Sequence, residues 1–443
     1  MRVGSTLAGV GYARQWANWA GNQRAFPAEW RMVFGDEDVV RAVEESLLAN
    51  RRLRAVGSGH SFSGVAVPDE VLVDVSALST VGRVEPNDDG TGSVEVGAGV
   101  PLSVLNEELH RQGWALPNLG DIAYQTVVGA VSTGTHGTGV KHGGISRQVE
   151  AITLVDGMGE VRRIMEGDDL RCAQVSLGAL GIVTSLRLRV VQAFVLEAVE
   201  STARLDDVLE SLDAHVASND HFEFYWVPHT KKVLTKHNNR IDGQPRPLHA
   251  VRHWYAKSFM ENTVFGAVCR IGRRVPAVVP RVAPLLASSG TRRSSDWSHR
   301  IFVSERRVRF VEMEYAIPIE FCAEALRRVD RMITDRGMRI GFPVEVRFAA
   351  ADDIVLSTAH GRASAYIAVH MFRGVDHREY FRGVEAIMRD YGGRPHWGKM
   401  HERTAENLAP AFPEWELFAR TRRGFDPQGI FFNEHLVSVL GDG

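Results

Sequence analysis

Apolar residues recur along the first half of the chain with both helical and strand periodicity. From Glu37 onward they return every three or four positions, which predicts a helix, and Leu53 to Val56 predicts a strand entering a glycine turn. Pro101 to Gln112 predicts a second helix that stops at Gly113. Further strands are predicted at Val71 to Val75, Val94 to Val96, Ala151 to Val155, Val161 to Ile164 and Gly181 to Val190.

The pattern changes after about residue 195. A stretch from Asp242 to Ser298 is rich in arginine and proline and has little periodicity. Beyond it, Cys322 to Asp335 predicts a helix, and strands are predicted at Arg307 to Tyr315, Val344 to Phe348 and Ala365 to Phe372. Helices and strands intermix in both halves, which indicates an α+β fold. A chain of 443 residues exceeds the usual size of a single core, so two domains, or one domain with a large insertion, are expected.

The composition, with 44% hydrophobic and 24% charged residues, is typical of a folded globular protein. A net charge of -2 provides no field that would attract nucleic acid, so no nucleic-acid partner is predicted. One local group of arginines favours a solvated face over a peripheral membrane or partner surface: Arg270, Arg273, Arg274, Arg292 and Arg293.

The cysteines and the N-terminus bear on the compartment. Cys172, Cys269 and Cys322 match neither a disulfide framework nor a metal knuckle, which favours a reducing cytoplasm. Met1 to Gln23 lacks the apolar core of a signal peptide. No stretch approaches the roughly eighteen apolar residues of a membrane span, although attachment to a membrane surface stays open.

Two glycine-rich runs are candidates for phosphate binding. The first, Val56-Gly57-Ser58-Gly59-His60-Ser61-Phe62, follows a strand, and its backbone amides could cradle a phosphate. It fails the nicotinamide dinucleotide fingerprint because Phe62 stands at the third glycine position. The second run, Gly129 to Gly139, lets backbone approach a pyrophosphate, with Ser132 and Thr133 as donors. A flexible surface loop is the alternative, which the flanking valines disfavour.

At these runs the sequence resembles the FAD-binding domains of the vanillyl-alcohol oxidase and p-cresol methylhydroxylase type. More narrowly, it is similar to the aldonolactone oxidoreductases, which act on L-gulono-1,4-lactone or D-arabinono-1,4-lactone, with the alditol oxidases nearby. The resemblance runs from about Asn18 to Leu440. It implies an N-terminal extension (1–22), a two-subdomain FAD-binding domain (23–195), an α+β substrate domain with a helix-covered sheet (196–390) and a segment returning to the flavin (391–443).

The resemblance also implies which residues contact FAD. His60 would carry the flavin covalently, with a noncovalent flavin as the alternative; a covalent bond needs a neutral imidazole. Gly120 would leave a path for oxygen to the flavin and so favours an oxidase. Asp121 beside it departs from the serine that contacts substrate in some relatives, and a turn carboxylate is the alternative for it. The other implied contacts are Val56, Gly57, Ser58, Gly59, Ser61, Thr126, Gly129, Ser132, Thr133, Gly134, His136, His396 and the backbone of Ile182.

Two further motifs point to the substrate. Strand alternation places Glu345 and Arg347 on one face, and the resemblance assigns this Glu-x-Arg to the substrate site; an exposed ion pair is the alternative. His396-Trp397-Gly398-Lys399-Met400-His401 looks like the family signature in which the lysine reaches the substrate. Zinc binding by His396 and His401 is a minor alternative, and no metal is predicted. The resemblance also implies that His370 lies in the substrate pocket.

Together with these residues, the resemblance implies that a sugar-derived 1,4-lactone is oxidised at C2 by hydride transfer to flavin N5, giving an ascorbate-type product. Lys399 and Arg347 would stabilise the developing alkoxide. The base stays open among Glu345, Lys399 and His370. Oxygen or another acceptor would reoxidise the flavin. Alternatives are an alditol oxidase, which Phe372 disfavours, a flavin-binding protein without turnover, and a nicotinamide dehydrogenase.

Overall fold

The computed structural model describes residues 14–249, 259–260, 262–286 and 290–441. Its strands are β1 Trp16–Ala17, β2 Arg24–Ala25, β3 Glu29–Met32, β4 Leu53–Val56, β5 Val71–Asp74, β6 Glu85–Pro86, β7 Thr91–Gly97, β8 Trp114–Ala115, β9 Val149–Val155, β10 Val161–Ile164, β11 Ile182–Gln192, β12 Val195–Arg204, β13 His221–Trp226, β14 Lys232–Ile241, β15 Thr291–Trp297, β16 Phe310–Pro318, β17 Val344–Ala349, β18 Ser364–Phe372 and β19 Arg394–Pro395.

The helices lie between and after these strands. They are α1 Asp36–Leu48, α2 Leu102–Arg111, α3 Val127–Ser132, α4 Gly167–Ala173, α5 Leu205–Glu210, α6 Leu212–Ala217, α7 Phe265–Arg274, α8 Val279–Leu286, α9 Ser298–Phe302, α10 Cys322–Asp335, α11 Arg378–Asp390, α12 Ala405–Leu408, α13 Trp415–Phe425 and α14 Glu434–Leu440. In the part of the chain that the structure describes, no helix combines the length and apolarity needed to cross a bilayer.

Two sheets build the N-terminal half. A parallel three-stranded sheet, in the order β3-β5-β4, packs against α1 through Val39, Ala42 and Val43. A six-stranded antiparallel sheet places the long β11 between β7 and β9, and α2, α3 and α4 share its core. The turn that leaves β4 emerges beside both sheets.

The second half is dominated by an eight-stranded antiparallel sheet in the order β15-β12-β14-β13-β17-β18-β16-β19. Its apolar face is covered by α10 and α11, which bury Leu326, Val329, Val384 and Met388 against Met313 and its neighbours. The opposite face of the four strands β13, β17, β18 and β16 carries charged residues at alternate positions. The predicted α+β fold, with a helix-covered sheet in the second half, is confirmed.

The C-terminal segment returns to the N-terminal half. The Leu53 backbone N–H donates to the Ile430 carbonyl at 2.9 Å, and the buried Arg54 guanidinium donates to the Phe431 carbonyl at 2.9 Å. The side-chain amide of Asn433 donates to the carbonyls of Gly64 and Val67 at 2.9 and 2.8 Å. These bonds fix the strand that precedes the first glycine turn.

Between Asp242 and Ser298 the chain is more regular than its weak periodicity predicts, because α7, α8 and β15 form there. Pro276 follows α7, and Pro280 and Pro284 lie within α8, so prolines obscure the helical pattern there. The predicted arginine group is also divided. Arg270, Arg273 and Arg274 lie on α7, whereas Arg292 and Arg293 lie on the edge strand β15 and pair with Glu200 and Glu197.

Candidate active site

The turn after β4 presents a row of free backbone amides. Gly57 and Ser58 are exposed, and no N–H group from Gly57 to Ser61 meets an acceptor in the described ranges. The turn is held at both sides, because the Trp19 N–H donates to the Gly59 carbonyl at 2.7 Å and the Phe62 N–H donates to the Gly398 carbonyl at 2.7 Å. Consecutive unpaired amides of this kind form a binding site for an anion such as a pyrophosphate.

The two glycine-rich runs meet. A Cβ atom on Gly57 would lie 2.3 Å from the Thr126 hydroxyl oxygen, so only glycine allows this approach. Thr126 is the N-cap of α3, where its hydroxyl accepts from the Gly129 N–H at 3.2 Å. The start of the second run is therefore held beside the first run through Thr126.

The second run is only partly the open loop that its composition suggests. Its first four residues, Gly129 to Ser132, belong to α3. The Thr133 hydroxyl donates to the Gly129 carbonyl at 2.8 Å, so this hydroxyl is already engaged. The Ser132 carbonyl accepts from the Leu177 N–H, and Gly134 has a positive φ of 72° that ends the helix. The unpaired amides lie further on, from His136 to Thr138, within the described part of the chain.

His60 lies between two aromatic rings. Its ring centroid is 5.8 Å from that of Trp19 and 6.3 Å from that of Tyr124, both nearly parallel to it. Burial, with the Lys399 charge nearby, lowers the pKa of His60 to about 4. The imidazole is therefore neutral near pH 7, which is the state that attachment of a flavin through nitrogen requires.

Gly120 and Asp121 sit in tight surroundings. A Cβ on Gly120 would lie 3.0 Å from the His136 carbonyl oxygen, so packing alone favours glycine there. Asp121 contacts Arg306 at 2.8 Å and Arg347 at 3.2 Å. Burial opposes its charge, but these two guanidinium groups hold the pKa of Asp121 well below its usual range.

The charged face of the large sheet forms the floor of the candidate site. Register places Tyr225 opposite Glu345, Glu345 opposite Ala368, and Ala368 opposite Glu314, across four strands. The Tyr225 hydroxyl donates to Glu345 at 3.1 Å. Ala368 is the one short side chain in this row, so the row is lowest at its centre. Glu345 and Arg347 share this face and form an ion pair, as the alternation predicts, and both are buried rather than exposed.

Arg347 is surrounded by three carboxylates: Asp121 at 3.2 Å, Glu223 at 3.1 Å and the paired Glu345. Glu223 is shared with Lys236 at 3.0 Å. Burial, together with Asp121 and Glu223, raises the pKa of Glu345 in spite of the opposing charge of Arg347. A carboxylate of raised pKa is suited to accept a proton.

Lys399 reaches the same space from the C-terminal segment. Its Nζ lies 2.5 Å from Glu312 and 5.1 Å from the centroid of the Phe62 ring. His370 places Nε2 at 3.5 Å from Glu312 and 4.0 Å from Glu345. Burial opposes charge on both groups, but the nearby carboxylates outweigh it and raise the pKa of Lys399 and of His370.

A second buried group lies beside the second run. His136 contacts Glu314 through Nε2 at 3.3 Å, and its ring packs on Tyr366 at 3.6 Å. His396 accepts from the Gly398 N–H at 3.0 Å, and burial lowers the pKa of His396 to about 3. One nitrogen or oxygen from each of His136, Glu314 and His396 lies within 4.8 Å of the others. His401 is outside this group and neighbours His435, so the zinc alternative built on His396 and His401 does not match the geometry.

Several charged residues of the site are not predicted by the sequence patterns. They are Glu223, Lys236, Arg306, Glu312 and Glu314. A signal was present for Glu312 and Glu314, which interrupt the apolar strand β16 at alternate positions. Ile182, predicted to contact adenine, begins β11 opposite Val155 and packs in the core beside α1. That contact stays a prediction.

Comparisons with known proteins cover the whole architecture. A family model described as D-arabinono-1,4-lactone oxidase matches residues 186–439, and one described as FAD binding domain matches residues 35–165. The L-gulono-1,4-lactone dehydrogenase of Mycobacterium tuberculosis is 42% identical and covers 96% of this chain and 99% of its own. The L-gulonolactone oxidase of Bos taurus is 30% identical and covers 96% of this chain and 97% of its own. A cholesterol oxidase from Brevibacterium sterolicum shares the fold, with a TM-score of 0.81, 17% identity and 97% coverage of both chains.

Proposed function

Since the chain belongs to the D-arabinono-1,4-lactone oxidase family, we propose that this FAD-dependent oxidoreductase oxidises an aldono-1,4-lactone of the gulono or arabinono type at C2. The observation that supports it is the convergence of Lys399, Glu345, Arg347 and His370 on one buried space, close to the two glycine-rich runs. FAD supplies the hydride acceptor. The resulting 2-keto-lactone would enolise to an ascorbate-type product.

The cations of the site would stabilise the substrate oxygen as its proton leaves. Lys399 and Arg347 are both held in the charged form by carboxylates, and a well-placed donor of this kind contributes about 3–4 kcal/mol to the transition state. Because Lys399 keeps its proton near neutral pH, it is a poor base. We therefore assign proton acceptance to Glu345, whose pKa is raised. His370, beside Glu345, would contact the substrate.

We propose that the cofactor lies along the two runs. The free amides of residues 57–61 and 136–138 would receive its pyrophosphate, with Thr126, Gly129, Ser132, Thr133 and Gly134 lining the approach. Val56 and the Ile182 backbone would contact the cofactor further from the ring. His60 would hold the flavin covalently, and Gly120, Asp121, His136 and His396 would lie near the ring.

The test is anaerobic bleaching of the flavin absorbance by a panel of L-gulono-1,4-lactone, D-arabinono-1,4-lactone, xylitol and sorbitol. We expect the lactones to bleach the flavin and the polyols to act at least a hundredfold more slowly. A polyol preference of that size would replace the substrate by an open-chain alditol. Readmitting air and then an artificial dye would show whether oxygen or another acceptor restores the colour.

We further propose that α7 contacts an anionic membrane surface. Ala267, Ile271 and Val275 form an exposed apolar stripe at intervals of four residues, with Ile271 and Val275 exposed by 53% and 54%. Arg270 and Arg274 flank the stripe. Residues 243–295 contain nine Lys and Arg residues and a single acidic one, so an anionic surface is the complementary partner.

Sedimentation with phosphatidylcholine vesicles, with and without phosphatidylserine, tests this contact. We expect binding only to the anionic vesicles, and loss of binding when Arg270 and Arg274 are both changed to Gln. The matched control changes Arg420 and Arg423 on α13, which are also exposed, and should bind as the unchanged protein does. Equal loss in both pairs would mean that net charge alone, and not α7, drives binding.

A further inference from the structure

We propose that Glu312 is a positioning residue for the reaction, one carboxylate that holds Lys399 through one oxygen and His370 through the other. The inference rests on the proposed function, because Lys399 and His370 are assigned to the substrate site there. Glu312 itself does not need to touch the substrate.

The geometry fixes Glu312 from two directions. Register places it directly opposite His370 across β16 and β18, with Oε1 at 3.5 Å from His370 Nε2. Its other oxygen, Oε2, lies 2.5 Å from Lys399 Nζ. The carbonyl of Glu312 accepts the Met400 N–H at 2.9 Å, so the backbone next to Lys399 is bonded to the same residue. Side chain and main chain of Glu312 therefore attach the C-terminal segment to the sheet.

Glu312 is also the carboxylate that contributes most to keeping Lys399 charged, ahead of Glu314 and Asp121. Within the described ranges, no other carboxylate lies within 4.0 Å of Lys399 Nζ. Burial favours the neutral amine, and a neutral amine could not stabilise an alkoxide. Removing the charge of Glu312 should let Lys399 lose its proton more easily and should remove one support for the charged form of His370.

Other charged or titratable groups surround this pair and set the background against which Glu312 acts. Lys399 is faced by Glu314, Asp121, His60 and His396, and His370 is faced by Glu345 and Lys399. These residues are the same in every variant. A fall in the pKa of Lys399 would therefore report the loss of the Glu312 charge, because loss of the His370 charge would act in the opposite direction.

The experiment uses the FAD-loaded protein and three variants. Glu312→Gln removes the charge and keeps the shape, and Glu312→Asp keeps the charge on a shorter side chain. Glu385→Gln is the matched control, since Glu385 is a buried carboxylate that accepts from Tyr315 on the opposite face of the same strand. The first readout is the pH dependence of Lys399 acetylation by acetic anhydride, measured by peptide mass spectrometry. It needs no substrate.

We expect the midpoint for Lys399 acetylation to fall by at least about one pH unit in Glu312→Gln, a tenfold change in the proton equilibrium. Glu312→Asp, whose shorter side chain lengthens the contact with Lys399, should lower the midpoint by a smaller amount, and Glu385→Gln should keep it near that of the unchanged protein. The second readout is the pH profile of flavin reduction by the lactone, whose alkaline limb should move in the same direction in Glu312→Gln.

An unchanged acetylation midpoint in Glu312→Gln, or an equal shift in Glu385→Gln, would overturn the inference. If Glu312→Gln does not fold, Glu312→Asp is compared with Glu385→Gln. A lower acetylation midpoint in Glu312→Asp supports the inference, and equal midpoints in the two variants overturn it. The two proposals separate clearly. If the acetylation midpoint shifts but no lactone bleaches the flavin, the role of Glu312 toward Lys399 is supported and the proposed substrate is wrong.

Discussion

The contact between Gly57 and Thr126 allows a sharp test of how the cofactor site is built. In Gly57→Ala, the new methyl group would lie 2.3 Å from the Thr126 hydroxyl oxygen and 3.2 Å from its methyl carbon. The two runs must therefore move apart by about an ångström. Overpacking of this kind costs about 1–3 kcal/mol, which corresponds to about a fivefold to 150-fold loss of FAD affinity.

Thr126→Ala gives the second side of a double-mutant cycle. Alone, it loses the N-cap of α3, which costs about 1 kcal/mol. With Gly57→Ala it removes the clash, because only the Cβ of residue 126 remains, at 3.3 Å from the new methyl. The double variant should therefore bind FAD about as well as Thr126→Ala, with a coupling energy of about 1–3 kcal/mol.

The assay is quenching of FAD fluorescence on binding to the apoprotein, in a His60→Ala background that keeps binding reversible. The thermal midpoint of the loaded protein is a second readout. Gly424→Ala serves as the control, since a Cβ at Gly424 meets nothing within 4 Å. The proposed contact between the runs and the cofactor is refuted if the losses of FAD affinity in the two single variants simply add in the double variant. It is also refuted if Gly57→Ala binds FAD with full affinity.

Three further predictions concern the chemistry. In His60→Ala, acid precipitation should release the yellow colour into the supernatant, whereas the unchanged protein should keep it in the pellet; colour released from both would rule out the covalent bond. Lys399→Met should slow anaerobic flavin reduction by about a hundredfold to a thousandfold with FAD still bound, and an unchanged stopped-flow rate would remove Lys399 from the mechanism. Because the pKa of Glu345 is raised, Glu345 takes up a proton above the usual carboxyl range, and kcat/KM should fall as the pH drops through that raised pKa. Glu345→Gln should lose this acid limb of the pH profile together with most of its activity. An identical acid limb in the variant would mean that another group causes it.

Local features of this fold could be predicted from the sequence. The spacing of Val39 and Val43 predicts α1, and the alternation around Val346 places Glu345 and Arg347 on one face of β17. In these cases a few neighbouring residues determine the outcome, because a helix or a strand has its own fixed period. The glycine runs are similarly local, although helix formation from Val127 to Ser132 was not expected within a run of small residues.

The assembly of the site could not be predicted in the same way. Glu312 meets His370 through strand register and Lys399 through the path of the C-terminal segment, and neither is written in a local pattern. A carboxylate in an apolar strand can either face solvent or form a buried ion pair, and only the presence of a partner decides between the two. The same holds for Glu223, which depends on Lys236 and Arg347.

The bonds from Ile430, Phe431 and Asn433 to the residues around Leu53 and Gly64 have a consequence for biosynthesis. The first glycine turn leaves the ribosome long before the residues that hold its strand, since Asn433 follows Gly64 by 369 residues. In a nascent chain, the strand before this turn therefore lacks these bonds until residues 430–433 have left the ribosome. FAD can be captured in its proposed position only after that segment has reached the residues around Leu53.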